Sequence, residues 1–409
     1  MLSILPTPRR PGRLGFVALM VLVGLNLRPA LSSLAPLLPR IEREGELSVL
    51  ILSSLTTLPV LCLGLFAPLA LWLARRHGIE RSIALGLAIL TAGLALRGLA
   101  VAPALVAGTL MAGGAIAIMG TLLPGLVMRE LAGSADLVTG VYTMALCLGG
   151  ALGAGLSIPL ADMVDSWAVS LMSWSGLSLA ALAAWWLLMP RSAPGRQPGI
   201  AKGHARSMLR QPLAWQVMLM MGSQSSLAYI VFGWLPTLLV GRGYSEADAG
   251  WLMSVSIMTQ LISAIGAPWL ARRNSDQRPM LMAVAVLVGA GLWMLLIGPP
   301  ALRWPGSLVL GLGQGGFFSM ALTLIVLRSG SPAIAGELSV LTQGGGYLLA
   351  ALGPLLVGLM LHADMGITGI TFALMAILAF AAGMALLAGR KRRLELDGRG
   401  QVVTVDQRF

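Results

Sequence analysis

Ionised side chains are what this 409-residue chain most lacks: charged residues make up 11% of it, against about 25% in an ordinary soluble domain. A water-soluble chain of this length needs far more polar surface. Acids are the scarcer sign, 16 against 28 basic residues, and none falls in the middle of an apolar run. The two cysteines, Cys62 and Cys147, lie alone in apolar runs, which excludes a disulfide-stapled secreted scaffold. Histidine occurs three times, at His77, His204 and His362, always between runs, so no metal-ligand set forms. No Walker loop is present. The glycine-rich GLGQGG at 311–316 lies inside an apolar run, where a nucleotide fingerprint has no context. Neither paired carboxylates nor a Ser/His/Asp set occurs at membrane depth. The chain is expected to be no enzyme and to use no metal or cofactor.

What is abundant is apolar: 57% of residues, with 51 Gly and 23 Met and a mean hydropathy of +0.85. A bilayer core about 30 Å thick needs about 20 apolar residues per spanning helix. Runs of that kind fall at 14–36, 47–73, 82–101, 104–127, 137–161, 167–189, 213–240, 249–270, 279–298, 304–327, 338–361 and 367–388. Membrane barrel strands would be about 10 residues long with alternating polarity, so these runs predict helices. Run one ends in no small-residue cleavage site and eleven more follow, which excludes a cleaved signal peptide.

The formal net charge of +12 does not point to nucleic acid, because the basic residues sit in short clusters between runs. With the N-terminus in the cytoplasm, twenty-two of the 28 basic residues fall in cytoplasmic loops and tails. Arg40, Arg43, Arg242 and Arg303 fall on the opposite side, and Arg28 and Arg97 inside runs. Positive charge favours the cytoplasmic side, so a multi-pass protein of bacterial inner-membrane type with both termini inside is expected. The tail RKRRLELDGRGQVVTVDQRF reads as a solvated end whose basic cluster can meet anionic lipid.

The basic, Pro- and Gly-rich segment at 190–212 separates two six-run halves, 1–189 and 213–389, with a tail at 390–409. The halves echo each other at an offset of 197–200 residues. Pro36 recurs as Pro236, Pro68 with Ala74-Arg75-Arg76 as Pro268 with Ala271-Arg272-Arg273, and Arg129 as Arg328. Two parallel six-span repeats are the plan of the major facilitator superfamily. Within it the chain resembles the cyanate/2-nitroimidazole transporter family. GLNLRPALSSLAPLLP at 24–39 and LSVLTQGGGYLLAALGPLLVG at 338–358 carry the likeness most specifically, with GTLLPGLVMRE at 120–130 and TGVYTMALCLGGALGAG at 139–155 between them. The resemblance implies an all-α membrane protein of twelve helices in two pseudo-symmetric bundles. It also implies transport of a cyanate-like anion through a central cavity lined by spans one, seven, eight, ten and eleven. Two positions depart from the pattern. Arg75 stands where the general facilitator signature has Asp, which removes the ion pair built on that Asp, and Gly120 stands where the family often has Asn.

The informative residue is Arg28, about three residues or 4.5 Å past the middle of run one and too deep to snorkel easily. A lone Arg near a helix centre costs several kcal/mol, and no run offers it an acid. It is expected to face the cavity and pair with an anionic or strongly dipolar substrate; the alternative is that helix-end carbonyls and water at the Pro29 kink hold it. Asn26, Tyr142, Gln224, Tyr229, Gln260, Gln314, Gln343 and Tyr347 complete the candidate site as neutral hydrogen-bonding groups, each equally able to bridge helices. Arg97 and Trp234 are candidates for a secondary site or gate. For Arg97 the alternative is snorkelling or a structural hydrogen bond, and for Trp234 an interface anchor. Glycines of runs five and eleven, Gly149, Gly150, Gly153 and Gly155 with Gly344, Gly345, Gly346, Gly353 and Gly358, are expected to allow close helix approach.

With no Asp or Glu in the middle of a run and no His or Lys in any, facilitated or exchange transport is expected, or proton coupling carried by the substrate itself. The expected partners are a small, anionic substrate and the lipid bilayer, with no nucleic acid, and the chain is expected to work as a monomer. The alternative cargo is a nitroimidazole-like or other small heterocycle, exported. A receptor that keeps the fold without transport is the alternative of another class.

Overall fold

The computed structural model describes residues 12–44, 47–131, 135–189, 205–271, 276–397 and 401–406. Twelve helices there are long and apolar enough to cross a membrane. Spans 1 to 6 are Arg13–Arg43, Leu50–His77, Ile79–Leu99, Ala102–Val127, Gly140–Val164 and Trp167–Leu188. Spans 7 to 12 are Pro212–Val240, Glu246–Ala271, Arg278–Leu296, Pro300–Leu327, Ile334–His362 and Ile367–Ala388. Each predicted run coincides with one span. The largest difference is at span 1, where helix continues to Arg43 beyond the apolar run because Arg40 and Arg43 find acids on other spans. Residues 190–204 of the expected linker, and with them Lys202 and His204, lie outside the described residues.

Packing repeats with the sequence. Span 1 packs on 5 and 6, span 2 on 4, and span 3 on 4 and 6; six spans later, 7 packs on 11 and 12, 8 on 10, and 9 on 10 and 12. Glycine sets the closest of these approaches. A methyl group on Gly311 would overlap Thr259 and the Ser256 carbonyl, and one on Gly315 would overlap the Gln260 backbone. The GLGQGG segment is thus a small-residue seat for span 8 on span 10, the usual way membrane helices come close. In the same way Gly353 meets Ser226 of span 7, and Gly358 meets Ser53 of span 2.

With an even number of spans, the start of span 1 and the end of span 12 lie at one end of the bundle, called here the termini end. The halves touch from mid-depth to the opposite, far end. Span 2 lies on span 11, span 5 on span 8, and the outer part of span 1 on spans 7 and 8. An ion cluster ties this seam. Arg40 donates to Asp162 of span 5 at 2.7 Å and pairs with Glu246 of span 8 at 3.2 Å, and Arg43 pairs with the same Glu246. No pair of elements drawn from the inner portions of both halves packs comparably at the termini end among the described residues. The molecule is closed at the far end.

At the termini end each half carries an arginine at the end of its fourth helix. In the first half Arg129 pairs with the buried Glu80 of span 3 and with Glu130. Burial alone would lower the Arg129 guanidinium, but its bonds and charge contacts with the two glutamates outweigh that and leave it raised. Glu80 therefore supplies an ion pair despite Arg75. In the second half Arg328 donates to Gln277 at 2.7 Å and to the Ala388 and Gly389 carbonyls at 2.8 and 2.9 Å. Here burial, opposed by the charge of Asp276, lowers the guanidinium to about 10. Gln277 stands 197 residues after Glu80, at the repeat offset, so an amide replaces the acid.

The tail departs from the all-α plan and from the solvated end expected of it. β1 (Arg392–Leu396) and β2 (Val402–Asp406) pair antiparallel, Leu394 opposite Thr404. Leu394 and Val402 are buried. The Leu394 N–H donates to the Arg328 carbonyl and its own carbonyl accepts from Gly330, both at 2.8 Å. Gln211 at the foot of span 7 donates to the Val402 carbonyl at 2.7 Å. The hairpin is therefore docked on the second half.

Candidate functional site

Proline creates the centre of the site. Pro29 has no N–H for the Leu25 carbonyl and disfavours helical geometry at the residue before it. Helix accordingly stops at Asn26 and restarts at Pro29, with Arg28 between at φ −115°. The Leu25 carbonyl that loses its partner is approached by Gly149 of span 5, and the next glycine on that face, Gly153, abuts Pro29 and Ser32. Gly150 faces the Arg28 side chain itself: a methyl there would lie 3.2 Å from the Arg28 Cβ and Cδ. Above the break the Ala30 carbonyl accepts a 2.7 Å bond from Arg97 of span 3.

Arg28 is half-buried and has no carboxylate partner among the described residues. Its guanidinium lies 4.9 Å from the centre of the Phe232 ring of span 7, a cation–π contact. One of its N–H groups reaches Gln260 Oε1 of span 8 at 3.5 Å, and Gln260 Nε2 reaches Gln314 Oε1 of span 10 at 3.4 Å. Both are long bonds. The chain ends in an unused donor, because Gln314 Nε2 is buried without a partner. Tyr229 packs against Phe232 at 6.3 Å and edge-on against Tyr347 of span 11 at 6.1 Å. Neither tyrosine hydroxyl has a hydrogen-bond partner among the described residues. Beside this cluster Leu31, Leu34, Thr56, Pro59, Tyr229 and Phe232 line part of a cavity with room for about one water molecule.

The structure brings Arg28, Tyr229, Gln260, Gln314 and Tyr347 together. The hydrogen bonds and packing of the other candidates lie elsewhere among the described residues. Asn26 donates to Leu22 at 2.8 Å and to Leu177 of span 6 at 3.5 Å, facing the interior of the first half. Tyr142 is buried in the core of that half. Gln224 bonds its neighbour Ser225 at 2.7 Å. Gln343 bonds Ser339 at 2.7 Å within its own helix, in a π-helical turn at Leu341–Gly345; single π turns often occur at functional positions. Arg97, 1% exposed, donates also to Thr109 at 3.0 Å, so it does not snorkel. Trp234, 2% exposed, donates to the Pro354 carbonyl at 2.9 Å and is no interface anchor. Phe232 escaped the sequence reading, although it lies three residues after Tyr229 and hence on the same helix face.

A search of known families matches residues 14–354 to the Major Facilitator Superfamily. The chain belongs to that superfamily. It is 35% identical to the 2-nitroimidazole transporter of Escherichia coli (strain K12), over 93% of this chain and 97% of that one. It is 31% identical to the cyanate transport protein CynX of the same organism, over 83% of this chain and 88% of that one. These relatives place it in the cyanate/2-nitroimidazole transporter branch. Among solved structures, a bacterial homologue of the human lysosomal transporter Spinster superposes with a TM-score of 0.74 at 16% identity. That match covers 92% of this chain and 96% of the other, a likeness of fold. The protein is a twelve-span membrane transporter of small molecules and no enzyme.

Proposed function

We propose that this transporter carries a small anion or strongly dipolar molecule of cyanate type by alternating access, with Arg28 as its anion-binding group. One observation carries the reading: a half-buried guanidinium at a break in span 1, held by a ring and one long amide bond, without an acid among the described residues. An unpaired charge at that depth is costly, and a visiting anion relieves it. Discontinuous helices commonly form transporter sites in this way. A relative named for cyanate transport supports the cargo. The alternative, a neutral heterocycle, draws on the Tyr229, Phe232 and Tyr347 rings and on the relative named for 2-nitroimidazole.

In this reading the termini end is cytoplasmic by its arginines, the structure is the inward-facing state, and a monomer suffices. Among the described residues no Asp, Glu, His or Lys joins the cluster, so the carrier works by facilitation or exchange, or by moving a proton on its cargo. Thermal shift of the purified protein with cyanate, other monovalent anions and neutral heterocycles decides the matter. We expect anions to raise Tm in wild type and to have no effect on Arg28→Gln. Equal shifts in both proteins, produced by neutral heterocycles alone, would favour the alternative.

A further inference from the structure

We infer that the preferred cargo is a small aromatic carboxylate, held by its two oxygens at Arg28 and by its flat ring among Tyr229, Phe232 and Tyr347. This rests on the assignment of Arg28 as the anion-binding group and sharpens it.

The first argument is the form of the donor set. Arg28 holds its guanidinium carbon 4.9 Å from the centre of the Phe232 ring, a contact that uses none of its N–H groups. The guanidinium is a planar fork matched to two coplanar oxygens, and among the described residues one of its donors is engaged, at 3.5 Å. A second unused donor, Gln314 Nε2, is buried at the end of the amide chain that starts from Arg28. A linear anion fills one prong of a fork, whereas a carboxylate fills both.

The second argument is what surrounds the fork. Spans 7 and 11 bring three aromatic rings to one place, with Tyr229 6.3 Å from Phe232 and 6.1 Å from Tyr347. Rings so spaced prefer a further ring in offset or edge-on contact, and a three-atom anion covers none of them. The two tyrosine hydroxyls, unpartnered among the described residues, offer further donors.

The water-sized cavity beside Tyr229 and Phe232 is too small for a benzoate ring as it stands, so in this proposal the rings move to admit the cargo. The π turn at Leu341–Gly345 and the glycines Gly344, Gly345 and Gly346 directly precede Tyr347 and give that ring backbone slack.

The test is binding to the full-length purified protein, read as ligand-dependent Tm and fitted to an apparent Kd. The probes are benzoate, cyclohexanecarboxylate and cyanate. In wild type benzoate should bind about tenfold more tightly than cyclohexanecarboxylate, the upper range for one aromatic contact, and more tightly than cyanate. Tyr347→Leu should bring benzoate down to the level of cyclohexanecarboxylate and leave the latter unchanged. Tyr347→Phe, which keeps the ring, should retain the preference and guards against a folding defect. Equal binding of the two carboxylates, tighter binding of cyanate, or binding of none of the three overturns the proposal. If cyanate wins and still depends on Arg28, the underlying function stands. If all three bind unaltered to Arg28→Gln, the function falls as well.

Discussion

A guanidinium inside a membrane needs a reason to be there, and the two in this chain have different ones. Arg97 is enclosed, bonded to the Ala30 carbonyl and to Thr109, and its job is to hold span 1 at its break. Arg28 is half-open and under-bonded, and its partner must come from outside. Removing a buried donor leaves an acceptor unsatisfied at a cost of roughly 1–3 kcal/mol. Arg97→Gln should therefore lower the ligand-free Tm by a few degrees, whereas Arg28→Gln should leave it near wild type and remove only the response to anions. Reversed effects in a melting experiment would exchange the two roles. Arg28 was legible in the sequence because charge is so scarce there that any arginine in a run stands out. Its neighbours were less so. Asn26, Gln224 and Gln343 share the polarity and depth of Gln260 and Gln314, but composition does not say which face of a helix looks at the cavity. The Glu80–Arg129 pair went unseen for a related reason: Glu80 lies just outside a run, and only the fold brings it to Arg129.

At the scale of the element, spans follow from apolar length alone, which is why all twelve were legible. Span 1 shows the limit of that signal. Its apolar run stops near Pro36, yet helix continues to Arg43 because Asp162 and Glu246 pay the solvation cost of Arg40 and Arg43. The docked tail hairpin was missed because two five-residue strands among arginines look like a solvated tail, and only Leu394 and Val402 hint otherwise. Glycine seats are the most directly testable element feature. Gly149 abuts the carbonyl freed by Pro29, so Gly149→Ala must move span 5 away from span 1. Gly120 has open space around it, and Gly120→Ala should be neutral. We expect the first variant to lower Tm and impair transport and the second to behave as wild type; equal behaviour would show that the seat carries no weight.

For the whole molecule, the two-fold repeat and the sorting of arginines were readable from sequence, because both follow from long-range regularities that one chain displays by itself. The conformation was not: which end the halves close depends on contacts between residues hundreds of positions apart. Here Ser53 of span 2 meets Gly358 of span 11 at the far end, across the seam. If the halves rock about the site, that contact must part during each cycle. A large side chain at this seat, as in Gly358→Leu, would overlap Ser53 and Trp234, hold the far end apart and stop transport. Full transport by Gly358→Leu would show that the contact is no part of the cycle. The most direct trial of the central claim is uptake of labelled cyanate and benzoate into proteoliposomes containing wild type or Arg28→Gln. Loss of a buried charge partner is worth about 2–5 kcal/mol, so the account predicts at least about a thirtyfold fall in apparent affinity with folding intact. Saturable uptake of either anion by Arg28→Gln at wild-type affinity would contradict it.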